Sequence, residues 1–494
     1  MTALAQEPQR LLRFLRTDRS IDSRSAPEAP RRTLLVLGVG LLGFVLAQTS
    51  VVPALGEMQR DFGASASDIT WMVTAYLLVA SIATPIFGRL GDMFGKQRLL
   101  AISLACFAVG SVVCTLANGL EPMIIGRGLQ GLGGGVFPLC FGVIRDEFPK
   151  HKVPTGIALL GAIAAIGSSI GLPLGGVLTD GPGYHSIFAV AAIMGVLATA
   201  TTLLFVPKSP IRTPGRVDIV GAAILGIALT GLLIAISRGA DWGWTSTKTG
   251  ALMLVGFNGL ALFGFLQRRT REPLVNMATF VRRPVLTTNI ATLLIGSAMI
   301  STFVLVPQLG QLPKGGEIGF GLSATEAGLL LAPGGLASLL VAPLIGRFGE
   351  RSGSKAPFFI GCLVVAGALL GLALAHDSVG LVVLWSCLVS AGSGAAFAAI
   401  PNLIVSAVSD RETGEATGVN TIMRNIGSAV GAQIAGSLIA AYVLSSGLPQ
   451  NTGFEIAFLV SAAGAIVAAL SVLLIPGRGR EFAADIHAAA ALSA

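Results

Sequence analysis

The residues of this 494-residue chain that could do chemistry are few, and they sit in unusual places. A charged stretch, Gly88-Arg89-Leu90-Gly91-Asp92-Met93-Phe94-Gly95-Lys96-Gln97-Arg98, lies between two long apolar runs. A weaker copy, Gly346-Arg347-Phe348-Gly349-Glu350-Arg351-Ser352-Gly353-Ser354-Lys355, begins 258 residues later. Both read small-basic-apolar-small-acidic-x-x-Gly, which marks an internal repeat. The chemistry on offer is electrostatic. Gly88 and Gly95 allow a sharp turn and a close approach of helix ends, and Asp92 can sit against a helix N-terminus or pair with an arginine. Arg89, Lys96 and Arg98 hold the loop in the cytosol. A merely topogenic loop explains those charges but not the glycine spacing. No G-x-x-x-x-G-K-[ST] run occurs, so a phosphate loop is excluded.

Other polar groups fall inside the apolar runs. Arg127, Gln130, Gly131 and Gly134 share one helical face, as do Asn420, Arg424, Gly427 and Gly431. An arginine at mid-membrane costs roughly 2.5–3.5 kcal/mol on insertion scales, so Arg127 should face a wet cavity or a partner. The plainer alternative is a snorkelling structural arginine, and Arg424, nearer the cytosolic end of its run, suits that reading equally. Gln48, Asn289 and Asn402 are candidates for the same cavity, or for capping helix kinks. No acid falls in the middle of any run: Glu57, Asp61 and Asp68 read as first outer loop, Glu326 as an outer end and Asp218 as an inner end. The cavity is therefore expected to be neutral to positive, disfavouring permanent organic cations and favouring neutral or anionic amphiphiles. Enzyme chemistry has no support, because there is no paired buried carboxylate and no nucleophile with a base, and His151, His185, His376 and His487 read as loops or tails. Cys106, Cys114, Cys140, Cys362 and Cys387 fit neither a zinc site nor a disulfide framework and read as core filler.

The elements that must position these residues are membrane helices. The chain is 53% hydrophobic and 12% charged, against about 25% charged in soluble domains. Its 64 glycines point to close helix packing through small residues. Apolar runs of ~17 to 25 residues predict fourteen spans: Thr33 to Val52, Ile69 to Phe87, Leu99 to Ala117, Met123 to Ile144, Gly156 to Thr179, Ser186 to Val206, Ile219 to Ile236, Ala251 to Leu266, Leu286 to Val306, Ala324 to Ile345, Pro357 to Ala375, Gly380 to Val405, Thr417 to Leu444 and Glu455 to Leu474. With loops assigned alternately, the side holding both termini collects 27 of the 33 Lys and Arg, and the other side 4. Positive-inside bias then places both termini in the cytosol. The net charge of +8 follows this one-sided pattern rather than nucleic-acid binding. Residues 1–32 form a basic tail with an amphipathic patch at Leu11 to Arg16, read as topogenic rather than as a cleaved signal.

The chain resembles the major facilitator superfamily, and specifically its fourteen-span drug:proton antiporter branch. The first charged stretch fits that family's loop G-x-L-a-D-x-x-G-r-k. Trp71-Met72-Val73-Thr74-Ala75-Tyr76-Leu77-Leu78 is similar to the branch's second span, and Ile125 to Gly134 to its fourth-span R-x-x-q-G-x-g. Gly161, Gly167, Gly171, Pro173, Gly175 and Gly176 resemble the antiporter signature of exporters, although Leu172 interrupts the usual Gly-Pro step. Glycines 167, 171 and 175 make a smooth groove for crossing against the neighbouring half. The resemblance implies an all-α major facilitator fold of two six-helix bundles, 33–206 and 286–474, with a two-helix insert in 207–285 and a cytosolic tail at 475–494. The insert, with Val217 to Ala222 and Asp241-Trp242-Gly243-Trp244, reads as a spacer. It further implies a conformational latch at Gly88 to Arg98 and export of amphipathic drugs, antibiotics or a metabolite across the cytoplasmic membrane. The expected energy source is the proton gradient, with no other cofactor, no metal and no nucleic acid; the partners are substrate, protons and membrane lipid, and the protein is expected to be a monomer. One departure matters: where the branch has a first-span acid, this chain has Gln48, which cannot titrate. Asp92, Glu326 or a titratable substrate could still carry the proton. A same-fold facilitator without proton exchange, or a non-translocating sensor or scaffold, are the competing classes.

Overall fold

A bilayer core offers backbone amides no water, so a chain of this composition satisfies them within helices. The computed structural model describes residues 28–149, 153–208, 216–314, 317–352, 354–405, 407–408, 413–445 and 447–474, and these are helical apart from connecting turns and one isolated bridge, Val443 to Pro449. The patch at Leu11 to Arg16 and the tail 475–494 lie outside the described residues.

The first half consists of α1 (Glu28–Asp61), α2 (Trp71–Phe94), α3 (Lys96–Leu116), α4 (Leu120–Gly131), α5 (Val136–Glu147), α6 (Val153–Asp180) and α7 (His185–Phe205). A hairpin follows, α8 (Ile219–Trp242) and α9 (Thr247–Gln267). The second half is α10 (Arg283–Gln311), α11 (Ala332–Ser352), α12 (Lys355–Leu374), α13 (Val379–Val405), α14 (Thr413–Ala441) and α15 (Asn451–Leu473). We call the end of the bundle where α1 begins the near end and the opposite one the far end.

Two expected boundaries move. The first span continues through Pro53 to Asp61, so Glu57 and Asp61 belong to a helix and not to an outer loop. The Pro53 carbonyl accepts a hydrogen bond from Gln311 Nε2 at 2.8 Å, across the two halves. The span from Met123 to Ile144 is broken by a 3₁₀ turn, Leu132–Gly135. Glycines 133, 134 and 135 there press against Phe44, Ala80 and Phe87, where a Cβ would collide.

The halves share one construction. In the first, α6 lies along α1, because Gly167 faces Leu42 and Val45, Gly171 faces Thr49, and Gly175 faces the Ser50 carbonyl. In the second, α14 lies along α10, with Gly427 on Leu293 and Gly431 on Ser297. The glycine groove of α6 thus packs within its own half rather than against the neighbouring one as expected. The adjacent face, turned by about 100° per residue, meets the other half: Gly176 touches Ala324 and Thr325, Leu172 touches Gly328, and Ser169 touches Gly335. Each core is completed across this boundary, with Leu172 and Val52 in the second core and Val419 and Ala432 in the first.

The hairpin sits at the edge. Only 17% of the most apolar stretch of α9 is buried, against 72% for α1. Yet α8 is bonded to both halves at the far end. Ser237 receives hydrogen bonds from Trp71 Nε1 (3.0 Å) and Ser67 Oγ, Arg238 pairs with Asp68 at 2.8 Å, and Ser437 Oγ donates to the Ile236 carbonyl. Among the described residues twelve helices are long and apolar enough to cross a membrane. The broken α4–α5 pass and α14, which carry Arg127 and Arg424, are not among them. Length and hydropathy thus give twelve candidate spans among the described residues, and the two further passes of the expected fourteen do not meet that measure.

Candidate functional site

Arg127 on α4 is 1% exposed and lies two turns into its pass, which opens at Leu120. Among the described residues no carboxylate pairs with it. Its Nε donates to the Met72 carbonyl at 2.7 Å and an Nη to Gln130 Oε1 at 2.6 Å. Gln130 Nε2 continues to Ser111 Oγ at 2.7 Å, which donates to the Phe107 carbonyl. The guanidinium also lies over the Tyr76 ring, with 4.5 Å between Cζ and the centroid. Close helix approach makes this possible, since Gly131 abuts the Tyr76 carbonyl on α2 and Gly110 abuts the Gln130 amide. Glycine at these points brings backbone acceptors within reach of a buried cation. The Tyr76 hydroxyl is buried and has no hydrogen-bond partner among the described residues, so it is a polar group that a water or a substrate would satisfy. Sequence reasoning placed Tyr76 in a motif without giving it a role.

The second half holds a different cluster. Asn420 Nδ2 on α14, two turns before Gly427, donates to Asn289 Oδ1 (2.9 Å) and Thr292 Oγ1 (2.8 Å) on α10. Asn289 is fully buried, and its own Nδ2 has no partner among the described residues. Arg424 is half-buried, with Cζ 5.7 Å from the Phe397 ring centroid and its stem against Gly296. Because α14 packs on α10 as α6 packs on α1, Arg424 is not the positional counterpart of Arg127 on α4. Gln48 is half-buried on α1 and Asn402 is exposed on α13, so neither joins these clusters.

At the near end α2 runs on to Phe94, and the expected loop shrinks to Gly95. Gly95 has φ +104°, a conformation that a side chain would strain. The close approach falls on Gly91, which presses on Leu139, rather than on Gly88, which has only Pro138 at 3.8 Å. Lys96 Nζ bonds Asp146 Oδ2 on α5 at 2.8 Å and lies 3.4 Å from Asp92, so Asp92 is paired with a lysine rather than an arginine or a helix N-terminus. Asp146 is the partner that sequence reasoning missed; its signal was an acid closing the fourth span. Arg89 pairs with Glu272 at 2.7 Å, in the segment joining the hairpin to the second half. The Arg216 amide and then Arg89 hold the Glu272 carboxyl below the usual carboxylate range. Arg98 is exposed. Backbone positions 346–352 of the second copy continue α11.

The far end joins the halves directly. Asp180, closing α6, accepts from the Ala324 and Thr325 amides at 2.9 and 2.7 Å. Gln433 on α14 bonds Ser67 and Thr74. Glu326 is held in a capping box with Ser323, and Pro173 lies inside α6. His185 opens α7 rather than lying in a loop, and buried His376 is fixed by the Leu372 carbonyl and Asn451. All five cysteines are free, and the described residues contain no metal-holding cluster.

This arrangement is two helical halves, polar clusters inside each, and a seam between them. It coincides with known transporters. The sequence pattern of the Major Facilitator Superfamily matches residues 37–432 and again 291–490. The chain is 30% identical over 415 residues to the multidrug resistance protein Stp of Mycobacterium tuberculosis, covering 83% of this chain and 76% of that one. It is 27% identical over 423 residues to the tetracenomycin C resistance and export protein of Streptomyces glaucescens, covering 84% and 77%. The fold matches the crystal structure of the human organic anion transporter MFSD10, with a TM-score of 0.61 at 16% identity, covering 92% and 100%. A peptide transporter POT in complex with sulfate gives 0.67 at 13% identity, covering 92% and 95%. The chain is a multi-pass membrane protein and belongs to the Major Facilitator Superfamily.

Proposed function

We propose that this protein exports amphipathic small molecules across the cytoplasmic membrane as a proton antiporter, with fourteen membrane passes and both termini in the cytosol. Relatives named for multidrug resistance and antibiotic export support the direction and the substrate class. The fourteen passes add α4–α5 and α14 to the twelve long apolar helices, since both continue through the packed bundle. The near end is then cytosolic, because the basic residues collect there. The halves rock about the midplane, and the far-end bonds of Asp180, Gln311 and Gln433 form when that end closes.

One observation carries the substrate preference. The interior offers Arg127, the Tyr76 hydroxyl and the Asn289 amide, without a carboxylate at Arg127. Donors without acid suit a neutral or anionic amphiphile and disfavour a permanent cation. In this reading Arg127, Gln130, Asn289, Asn420 and Arg424 serve the substrate path, with Gln48 and Asn402 lining it. Asp92 or Glu326 is the proton carrier within the protein. Gln48 in place of an acid favours a second reading, a facilitator that ignores the proton gradient.

Everted vesicles from cells expressing the protein decide between them. Uptake of a panel of cationic, neutral and anionic amphiphiles is followed as the pH gradient is collapsed. Uptake of the neutral and anionic members that stops on collapse is the expected outcome. Uptake indifferent to the gradient selects the facilitator, and uptake of cations alone refutes the preference drawn from the donor-only interior.

A further inference from the structure

The hairpin leaves an open seam against α2. A groove of about 660 Å³ runs along it, lined by Ile82 of α2, by Ile219, Ala223, Gly226 and Ile227 of α8, and by Val255 of α9. It extends from Ile219 to Ile234, about 22 Å at 1.5 Å per residue, which exceeds half of the ~30 Å hydrocarbon core. Its walls are almost wholly apolar. At the near end, Ile219 also lines a second recess of about 670 Å³, ringed by Arg216, Asp218, Thr270, Arg271 and Glu272.

The charges of that recess are unequal in availability. Asp218 is consumed within the protein, accepting from the Gly221 amide at 2.8 Å and from Gln267 Nε2 at 2.5 Å. Glu272 is consumed by Arg89 and by the Arg216 amide. Arg216 and Arg271 are exposed, and among the described residues neither side chain makes a hydrogen bond or an ion pair within 4 Å, although the Arg216 charge acts on nearby Glu272. The segment from residue 268 to 283 adds Arg268, Arg269, Arg282 and Arg283 with Glu272 as its one acid. A basic recess at a membrane boundary, continuous with an apolar trough of acyl-chain length, has the two chemistries of one molecule.

We propose that this seam is a binding site for an anionic phospholipid, its phosphate held by Arg216 and Arg271 with Thr270 beside it, and one acyl chain lying along α8 against Ile82. The lipid fills the space between hairpin and first half, next to the Arg89–Glu272 pair.

Full-length protein purified in detergent with equal phosphatidylglycerol and phosphatidylcholine, weighed intact by native mass spectrometry, tests this. The expected result is retained phosphatidylglycerol, preferred by about thirtyfold if each arginine contributes the usual surface attraction. That preference should vanish in R216Q/R271Q and persist in R268Q, whose charge is in the same segment but outside the recess. A223F places a ring in the groove at an exposed position, and should lose the lipid with both arginines intact. Three results overturn the site: equal retention of phosphatidylcholine, an R268Q loss as large as that of R216Q/R271Q, or displacement of the lipid by glycerol 3-phosphate at the same concentration. The last would mean that the recess takes a free phosphate and the groove nothing.

Discussion

The two halves are alike in their seams and unlike in their cations. Each lays a glycine-bearing helix along its first helix, α6 on α1 and α14 on α10, with backbone carbonyls where side chains would otherwise stand. Inside the first half, Arg127 is sealed by two hydrogen bonds and an aromatic face. In the second, Arg424 is half-buried beside Phe397 and has no hydrogen-bond partner among the described residues. The difference separates what the fold requires of both halves from what one half alone has been given. Packing of the seams is architecture; a buried cation without an acid is specialisation.

The largest effect is expected where the halves are alike. Gly175→Leu drives a side chain into the Ser50 carbonyl and Gly431→Leu drives one into Ser297. Backbone at the obstruction cannot turn away as a side chain can, so each should cost more than the 1–3 kcal/mol of ordinary overpacking. Both variants should fail to accumulate in membranes, whereas Gly161→Leu, with nothing within 4 Å of its Cβ position, should accumulate normally. If only one of the seam variants fails, the equivalence of the halves is wrong.

The arginines should then split the halves apart. Arg127→Ala leaves Gln130 Oε1 unpaired, at about 1–3 kcal/mol, and takes from the Met72 carbonyl a donor beyond its helical one. It also removes a cation costing roughly 2.5–3.5 kcal/mol to place in a membrane. The terms nearly cancel, so the variant should reach the membrane in normal amount and still lose transport. Arg424→Ala loses a ring contact, about 0.5–2 kcal/mol, and the packing of its stem against Gly296, and should retain more transport than Arg127→Ala. Equal transport by both variants would remove the special role given to Arg127.

A third test concerns what one half gives the other. Asp180→Asn replaces a carboxylate that accepts two amides of the second half. Hydrogen bonds to a charged group contribute about 1.5–3 kcal/mol, roughly twice a neutral pair, so the far end should open more often by about tenfold. Spin labels across that end should report a larger long-distance population, and an unchanged distribution would show that Gln311 and Gln433 hold the closure without it.

What the sequence made legible follows from the range of each interaction. Span positions depend on local hydropathy, so the apolar runs appear as helices. Their ends do not: α1 continues past Pro53, whose carbonyl accepts from Gln311 in the other half. The need of Arg127 for a partner was readable from its depth, but the Met72 carbonyl and the Tyr76 ring become partners only when α2 and α4 touch. The glycines of α6 announced a close crossing without saying against which helix. Repeat patterning exposed the charged stretch at Gly88 to Arg98, while its partners Asp146 and Glu272 lie in segments outside the repeat. The hairpin read as a spacer, since bonds of Ser237 and Arg238 to Trp71 and Asp68 join segments about 170 residues apart.

The smallest effect belongs to the tie between the first half and the joining segment. Glu272 accepts from the Arg216 amide and from Arg89, which lowers its pKa in the folded protein. A depressed carboxylate contributes stability above its unfolded pKa, near 4.3, and loses it as pH falls through the lower folded value. The tie should therefore be constant from pH 5 to 8 and vanish in acid. Comparing thermal unfolding of the protein with that of Glu272→Gln should show a small difference at pH 7 that closes as the pH falls through the depressed value. Exposure keeps it small, because solvent screens the pair. A difference that grows toward acid would reverse the sign, and would mean that Glu272 is held protonated rather than ionised beside Arg89.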